Sequence, residues 1–161
     1  MNESLHLVHQ AVYGGIAAGG FGVLFNYPRH WLLVSFASGV LALSVRTLTL
    51  DAGLSLPMAS FLAALAVSLG AEFLRGWPDL TRGVLAVVGC IPMVPGSLAS
   101  RAVIGLFTLS QTTPADTTLL METAQNLARF TLTIAAMGTA LVLPALFRRA
   151  FASGEENSDH K

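Results

Sequence analysis

Three arginines, Arg46, Arg101 and Arg129, fall inside long apolar stretches of this 161-residue chain, where a charge needs a chemical reason to be. An uncompensated guanidinium at the centre of a bilayer costs from ~2.5 kcal/mol upward. On the last apolar segment, Thr118, Glu122, Asn126, Arg129 and Thr133 recur at helical spacing, with Gln125 alongside. Ser97, Arg101, Thr108 and Gln111 form a similar stripe on the segment before it. Ser35, Gly39, Ala42, Arg46 and Thr49 run from small to polar along the second segment. A bundle would bring these three polar faces together around a cavity, where arginine suits a substrate with one or two carboxylates. Two other readings remain open. Arg46 lies near the end of its segment and can snorkel to the headgroups, and Arg129 with Glu122 can form an ion pair that only fixes packing.

The sharpest local feature is Ile91-Pro92-Met93-Val94-Pro95-Gly96, which interrupts an apolar run. Pro92 and Pro95 carry no N–H, so the carbonyls of Val88 and Ile91 lose their helical donors. Gly96 permits close approach, and Ser97 is placed to cap a new helix. Two half-helices therefore meet inside the membrane, facing protein or a wet cavity, because freed carbonyls in lipid are costly. The second half-helix points the positive end of its dipole at that cavity, with Arg101 one turn in. Discontinuous helices of this kind recur in secondary transporters. A proline kink that only shapes packing is the plainer alternative.

These features need helices to hold them, and the composition supplies helices for lipid. The chain is 53% apolar and 11% charged, with no net charge, against roughly 25% charge in a soluble domain. Neutrality removes the case for nucleic acid or for a polybasic surface binder. Five apolar segments run from about 5 to 25, 31 to 50, 56 to 74, 83 to 110 and 118 to 147. A hydrocarbon core ~30 Å thick takes about 20 helical residues, so the fold class is all-α: a polytopic transmembrane bundle of about five spans. The fourth span is broken at Pro92–Gly96. No period-2 alternation suggests a membrane β-barrel. The first segment has no basic n-region and reads as a retained span.

With five crossings, Arg29, Arg75, Arg82, Arg148, Arg149 and Lys161 share one face, while Glu3, Asp51 and Asp116 share the other. The positive-inside rule then sets the N-terminus outside and the C-terminus in the cytoplasm. Residues 1–149 form one membrane domain, and 150–161 read as a disordered cytoplasmic tail. Gly15, Gly19 and Gly22, and Ala59, Ala63, Ala66 and Gly70, are surfaces for close helix contact. Glu72 can pair with Arg75 on the next turn, and Glu72 and Glu122 are the acids placed for coupling or ion pairing. Cys90 reads as a small buried hydrophobe. No metal site, HExxH motif or Walker motif is present, so neither an enzyme nor a cofactor is expected.

Gly20-Phe21-Gly22-Val23-Leu24-Phe25-Asn26-Tyr27-Pro28, then Arg46, then Ile91 to Gly96, resemble the threonine/serine exporter family in its small-subunit (YjjB-like) form. The similarity extends to Asn126 and Pro144 and covers roughly residues 11 to 149. It implies ten spans split between a large and a small subunit, the small half having about five, in a bacterial inner membrane. It implies threonine, serine or succinate-like dicarboxylates as substrates, and a larger membrane subunit of the same family as partner. Asn26, Pro28, Arg46, Pro92, Pro95, Gly96 and Asn126 match the family's motif positions. In one departure, Leu43 stands where the family often has a histidine, so a proton- or substrate-handling group there is missing or supplied by the partner.

Residues and resemblance together predict the small subunit of a two-component secondary exporter of amino acids or small carboxylates, working by alternating access. Its cavity lies near Pro92–Gly96, with Ser97, Arg46, Arg101 and Arg129 as carboxylate-binding candidates. The alternatives are a structural or assembly subunit with no substrate path of its own, or a homo-oligomeric channel.

Overall fold

A computed structural model describes residues 3–74, 82–111 and 116–156 of the chain. Helices α1 (Glu3–Leu24), α2 (Arg29–Asp51) and α3 (Leu56–Phe73) each match one predicted segment. The interrupted segment becomes α4 (Arg82–Cys90), a 3-10 turn (Ile91–Met93) and α5 (Gly96–Gln111), and the last is α6 (Thr117–Glu156). No strand occurs among the described residues. Four of these helices are long and apolar enough to cross a bilayer singly, and the bent pair makes a fifth if taken as one span. This is the all-α polytopic bundle that the segment pattern predicts.

The helix ends follow from local chemistry. α1 stops at a Schellman turn, in which Tyr27 N–H donates to Gly22 O and Asn26 N–H to Val23 O. That turn needs a left-handed residue, and Asn26, at φ 56°, is the non-glycine residue best suited to it. Pro28 follows with its fixed φ and opens α2. The family-motif residues Asn26 and Pro28 therefore build a tight helix–turn–helix corner. The Tyr27 phenol between them is pushed up from its ordinary pKa by burial and stays a neutral hydroxyl. α2 ends the same way at Gly53, φ 87°, where Leu54 N–H reaches Thr49 O. α6 is capped by Asp116, whose carboxylate accepts from Thr118 N–H at 2.9 Å.

Small residues set the packing. α1 lies along α2 so closely that Gly14 and Gly39 face each other, leaving no room for a Cβ on either. α3 contributes Ala59, Ala63, Ala64 and Ala71 to the interior, all buried. Of the small residues expected to pack, Gly15, Gly22, Ala59 and Ala63 are buried, while Gly19, Ala66 and Gly70 are half-buried. Short α4 is wedged between α1, α2 and α3, and its Leu85, Ala86, Val88 and Cys90 are all buried. The break therefore faces protein on that side rather than lipid, as the cost of unpaired carbonyls requires.

α6 runs beside α3. Ser68 Oγ donates to Leu141 O at 3.0 Å, next to Ala140, whose carbonyl loses its helical donor because Pro144 has no N–H. Further on, Arg148 donates to Glu72 at 2.6 Å. The expected Glu72 partner, Arg75, lies outside the described residues; among those described, Glu72 pairs with Arg148 and so joins α3 to α6. Helix α6 also continues past Phe147 to Glu156, into the stretch read as tail, and residues 157–161 are not described. No proline or glycine stands between Ala145 and Ala152 to stop it.

Candidate functional site

A cavity of about 930 Å³ opens beside the break. Four elements build it: Arg46 from α2, Ser55, Leu56 and Pro57 at the start of α3, Val94 to Leu98 at the start of α5, and Arg129 with Leu132 from α6. Two helix N-termini and two guanidiniums thus converge on one space. Among the described residues no acidic side chain lines it. Helix N-termini present unpaired N–H groups and about half a positive charge each, so the site is electropositive from backbone and side chain alike.

The local structure of the break explains its shape. The chain turns by 57° between the α4 part and α5. Ile91 O, deprived of a helical donor by Pro95, accepts instead from Val94 N–H at 3.1 Å in the 3-10 turn. Met93 O, outside any helix, accepts from Arg46 Nη1 at 2.9 Å. Arg46 is thus turned inward to the break, which excludes snorkelling as the reason it is tolerated. Its Nε–H is buried with no acceptor, a state that costs roughly 1–3 kcal/mol when nothing fills it. Helix α5 starts at Gly96, two residues earlier than a Ser97 cap requires. The carbonyl of Pro95 receives Leu98 and Ala99 N–H, so Ser97 sits within the first turn with its side chain on the cavity.

The predicted site residues divide. Arg46, Pro95, Gly96, Ser97 and Arg129 share the cavity. Pro92 lies in the 3-10 turn behind it and shapes the bend. Arg101 and Asn126 line a separate groove of about 330 Å³ between α5 and α6, with Thr108, Glu122 and Thr123. Arg101 and Glu122 form no ion pair there, nor does Glu122 with Arg129, although Arg101 and Glu122 face the same groove. The polar stripe of α6 is therefore split lengthwise, with Glu122 and Asn126 in the groove, Arg129 in the cavity, and Thr133 buried and bonded to Arg129 O. Glu72 lies near the opposite end of α3 in its pair with Arg148. Leu43 is buried against Gly14 and lines neither space.

Sequence reasoning missed Ser55 and Pro57. Their signal was present: serine followed two residues later by proline marks a helix start, and Ser55 makes no capping bond, leaving its hydroxyl to the cavity. It also missed the link from Arg46 to Met93, although a broken helix needs outside donors and an arginine on a neighbouring span can supply them.

A broken helix bordering an electropositive cavity in a multi-helix membrane protein is an arrangement that recurs in secondary transporters. The comparison with known families is specific. The model described as "Threonine/Serine exporter, ThrE" matches residues 10–147, and the chain belongs to the threonine/serine exporter family. No solved structure matches it.

Proposed function

We propose that the chain is the small membrane subunit of a two-component secondary exporter of amino acids or small carboxylates, threonine/serine or succinate-like dicarboxylates. The observation that carries this reading is the cavity with Arg46, Arg129 and two helix N-termini and no lining carboxylate. A carboxylate entering it meets charge-assisted donors on several sides. For a zwitterionic substrate, the hydroxyls of Ser55 and Ser97 are the neutral acceptors on the lining for the ammonium group. Alternating access works by a change at the 57° break, which lets α5 and the adjoining part of α6 expose the cavity to one side and then the other. The charge distribution orients the N-terminus outside and the C-terminus in the cytoplasm of a bacterial inner membrane.

The partner is a larger membrane subunit of the same family. Support comes from α5, which packs on α6 and leaves Arg101, Val103, Ile104, Phe107, Met121 and Glu122 exposed. Such a mixture of charge and large apolar groups fits a protein surface better than lipid. The same groove favours a second reading, an assembly subunit with the substrate path in the partner.

The deciding experiment is efflux and counterflow of a labelled carboxylate from vesicles of the native membrane, with Arg129→Ala normalised to the amount of complex. Loss of a charge-assisted contact worth about 1.5–3 kcal/mol lowers turnover or apparent affinity ~10- to 100-fold. Unchanged transport per complex gives the path to the partner. Co-purification in mild detergent tests the two-component claim, and recovery of this chain alone as a defined oligomer refutes it.

A further inference from the structure

Two features meet on the Arg46 guanidinium: Nη1 holds Met93 O at 2.9 Å, and Nε–H is buried without an acceptor. Met93 closes the 3-10 turn, and just beyond it the chain swings by 57° into α5. A carbonyl at that point, outside a helix and inside a membrane protein, needs a donor from elsewhere. Arg46 is that donor, so a hydrogen bond from α2 adds to the packing that holds the bend.

A guanidinium has more than one usable edge. Nη1 lies on the side nearest Cδ, whereas Nε–H and Nη2 point the other way as a parallel pair, the fork that receives a carboxylate in bidentate fashion. The bond to Met93 fixes the plane of the group and leaves the Nε/Nη2 edge uncommitted. Arg46 also lines the cavity, and its Nε, buried against the protein in this conformation, comes within reach of a carboxylate when the side chain shifts toward that cavity.

We propose that Arg46 couples cavity occupancy to the α4–α5 bend, Nη1 holding the Met93 carbonyl while the Nε/Nη2 edge takes a carboxylate of the ligand. This rests on the anion-binding reading of the cavity and adds to it how occupancy is sensed. In the empty protein the plane is held from one edge, and a buried donor goes unmatched. A bound carboxylate gives that donor its acceptor and fixes the plane from the second edge. Ligand and bend therefore reinforce each other. Lysine cannot do the same, because its ammonium is a single point charge with no planar fork.

The test uses the purified full chain, with whatever partner co-purifies, in lipid nanodiscs. Spin labels are placed at Val87→Cys on α4 and Phe107→Cys on α5, both exposed positions, in a Cys90→Ala background. Inter-label distances are measured by double electron–electron resonance with succinate as the probe. With Arg46 present, succinate narrows the distribution. Arg46→Ala broadens the ligand-free distribution and removes the response. Arg46→Lys keeps the ligand-free distribution near that of the parent, by donating to Met93, but needs ~10-fold or more succinate to narrow it. A ligand-free distribution unchanged by Arg46→Ala overturns the tie to the bend. An unchanged succinate midpoint in Arg46→Lys overturns the two-edge arrangement. If equilibrium binding shows no succinate or threonine on the parent protein, the anion-site reading fails and the ligand half of the proposal with it. The ligand-free comparison still decides the other half. Should Arg46→Ala not be recovered folded, Arg46→Leu replaces it, since it fills much of the same space and offers Met93 O no donor.

Discussion

The bundle of α1 to α4 with the later part of α6 and the arm formed by α5 with the start of α6 are built on opposite principles. In the bundle, glycine, alanine and serine bring backbones together until side chains nearly vanish from the interfaces, as Gly14 against Gly39 shows. Several of its hydroxyls are spent within it, Ser35 on Trp31 O, Ser38 on Ser35 O and Ser68 on Leu141 O, while Ser60 Oγ is buried without a partner among the described residues. In the arm, Arg101 and Glu122 share a groove without pairing, and Val103, Phe107 and Met121 are each about two-thirds exposed. Arg129 and Leu132 border the cavity together with the first residues of α3. Residues 117–128 of α6, about 18 Å of helix, therefore run on beyond the start of α3 alongside α5. The cavity sits where the two regions join, with Arg46 from one and Arg129 from the other. A close-packed frame and an unsatisfied arm meeting at a bend is the arrangement that allows one part to move against the other.

The largest expected difference between the regions is in their tolerance of added volume. A Cβ on Gly39 meets the Gly14 carbonyl and falls 2.5 Å from Ala18 Cβ, so α1 and α2 must separate. Gly39→Ala should destabilise the protein by about 1–3 kcal/mol, as overpacking does in well-filled cores. Gly138, on α6 with nothing within 4 Å of a built Cβ, gives the control. There alanine gains up to about 1 kcal/mol from helix propensity. Thermal unfolding in detergent, followed by circular dichroism, compares the two. Equal responses would mean that the α1–α2 contact is looser than its geometry.

Arm charges should show the reverse pattern. Arg101→Ala and Glu122→Gln remove groups that hold no ion pair among the described residues, so unfolding shifts by no more than about 0.5 kcal/mol. Recovery of a co-purifying membrane subunit should fall instead, because those groups and the apolar side chains beside them are what the arm offers to another protein. A loss of intrinsic stability as large as that of Gly39→Ala would make the arm part of the frame and dissolve the distinction.

Much of the frame could be read from the sequence. Helix length against bilayer thickness, the Asn-x-Pro corner at Asn26 and the Asp51-Ala52-Gly53 stop each act over a few residues, and the helices begin and end where those signals stand. The proline break was equally legible, since a missing N–H is a covalent fact. The site was read only in part. Arg46, Arg129 and Ser97 reach one cavity, but the 57° bend carries Arg101, one turn further along α5, round into the neighbouring groove. Bend angle depends on what packs on each side of the break, and no spacing rule contains it. Glu72 likewise meets Arg148 across 76 positions of sequence. Local spacing contains no such pair, because it depends on the parallel course of α3 and α6.

The smallest expected effect tests the seam along which α6 is fastened to the frame. Pro144 removes one donor from α6 and crowds the carbonyls of the preceding turn. Ser68, buried on α3, donates to Leu141 O in that turn. Hydrogen bonds between spans of a membrane protein average only about 0.6 kcal/mol, because the separated helices find other partners. Leu141 O is no exception, because Pro144 orphans the carbonyl of Ala140, four residues back, and leaves Leu141 O its own helical donor in Ala145 N–H. Ser68→Ala should therefore cost about 0.6 kcal/mol, read from thermal unfolding in detergent. A cost no different from zero would mean that the hydroxyl merely fills space between α3 and α6. The fastening of the later part of α6 would then rest on small-residue packing and the Glu72–Arg148 pair, leaving α6 freer to slide on the frame when the arm moves.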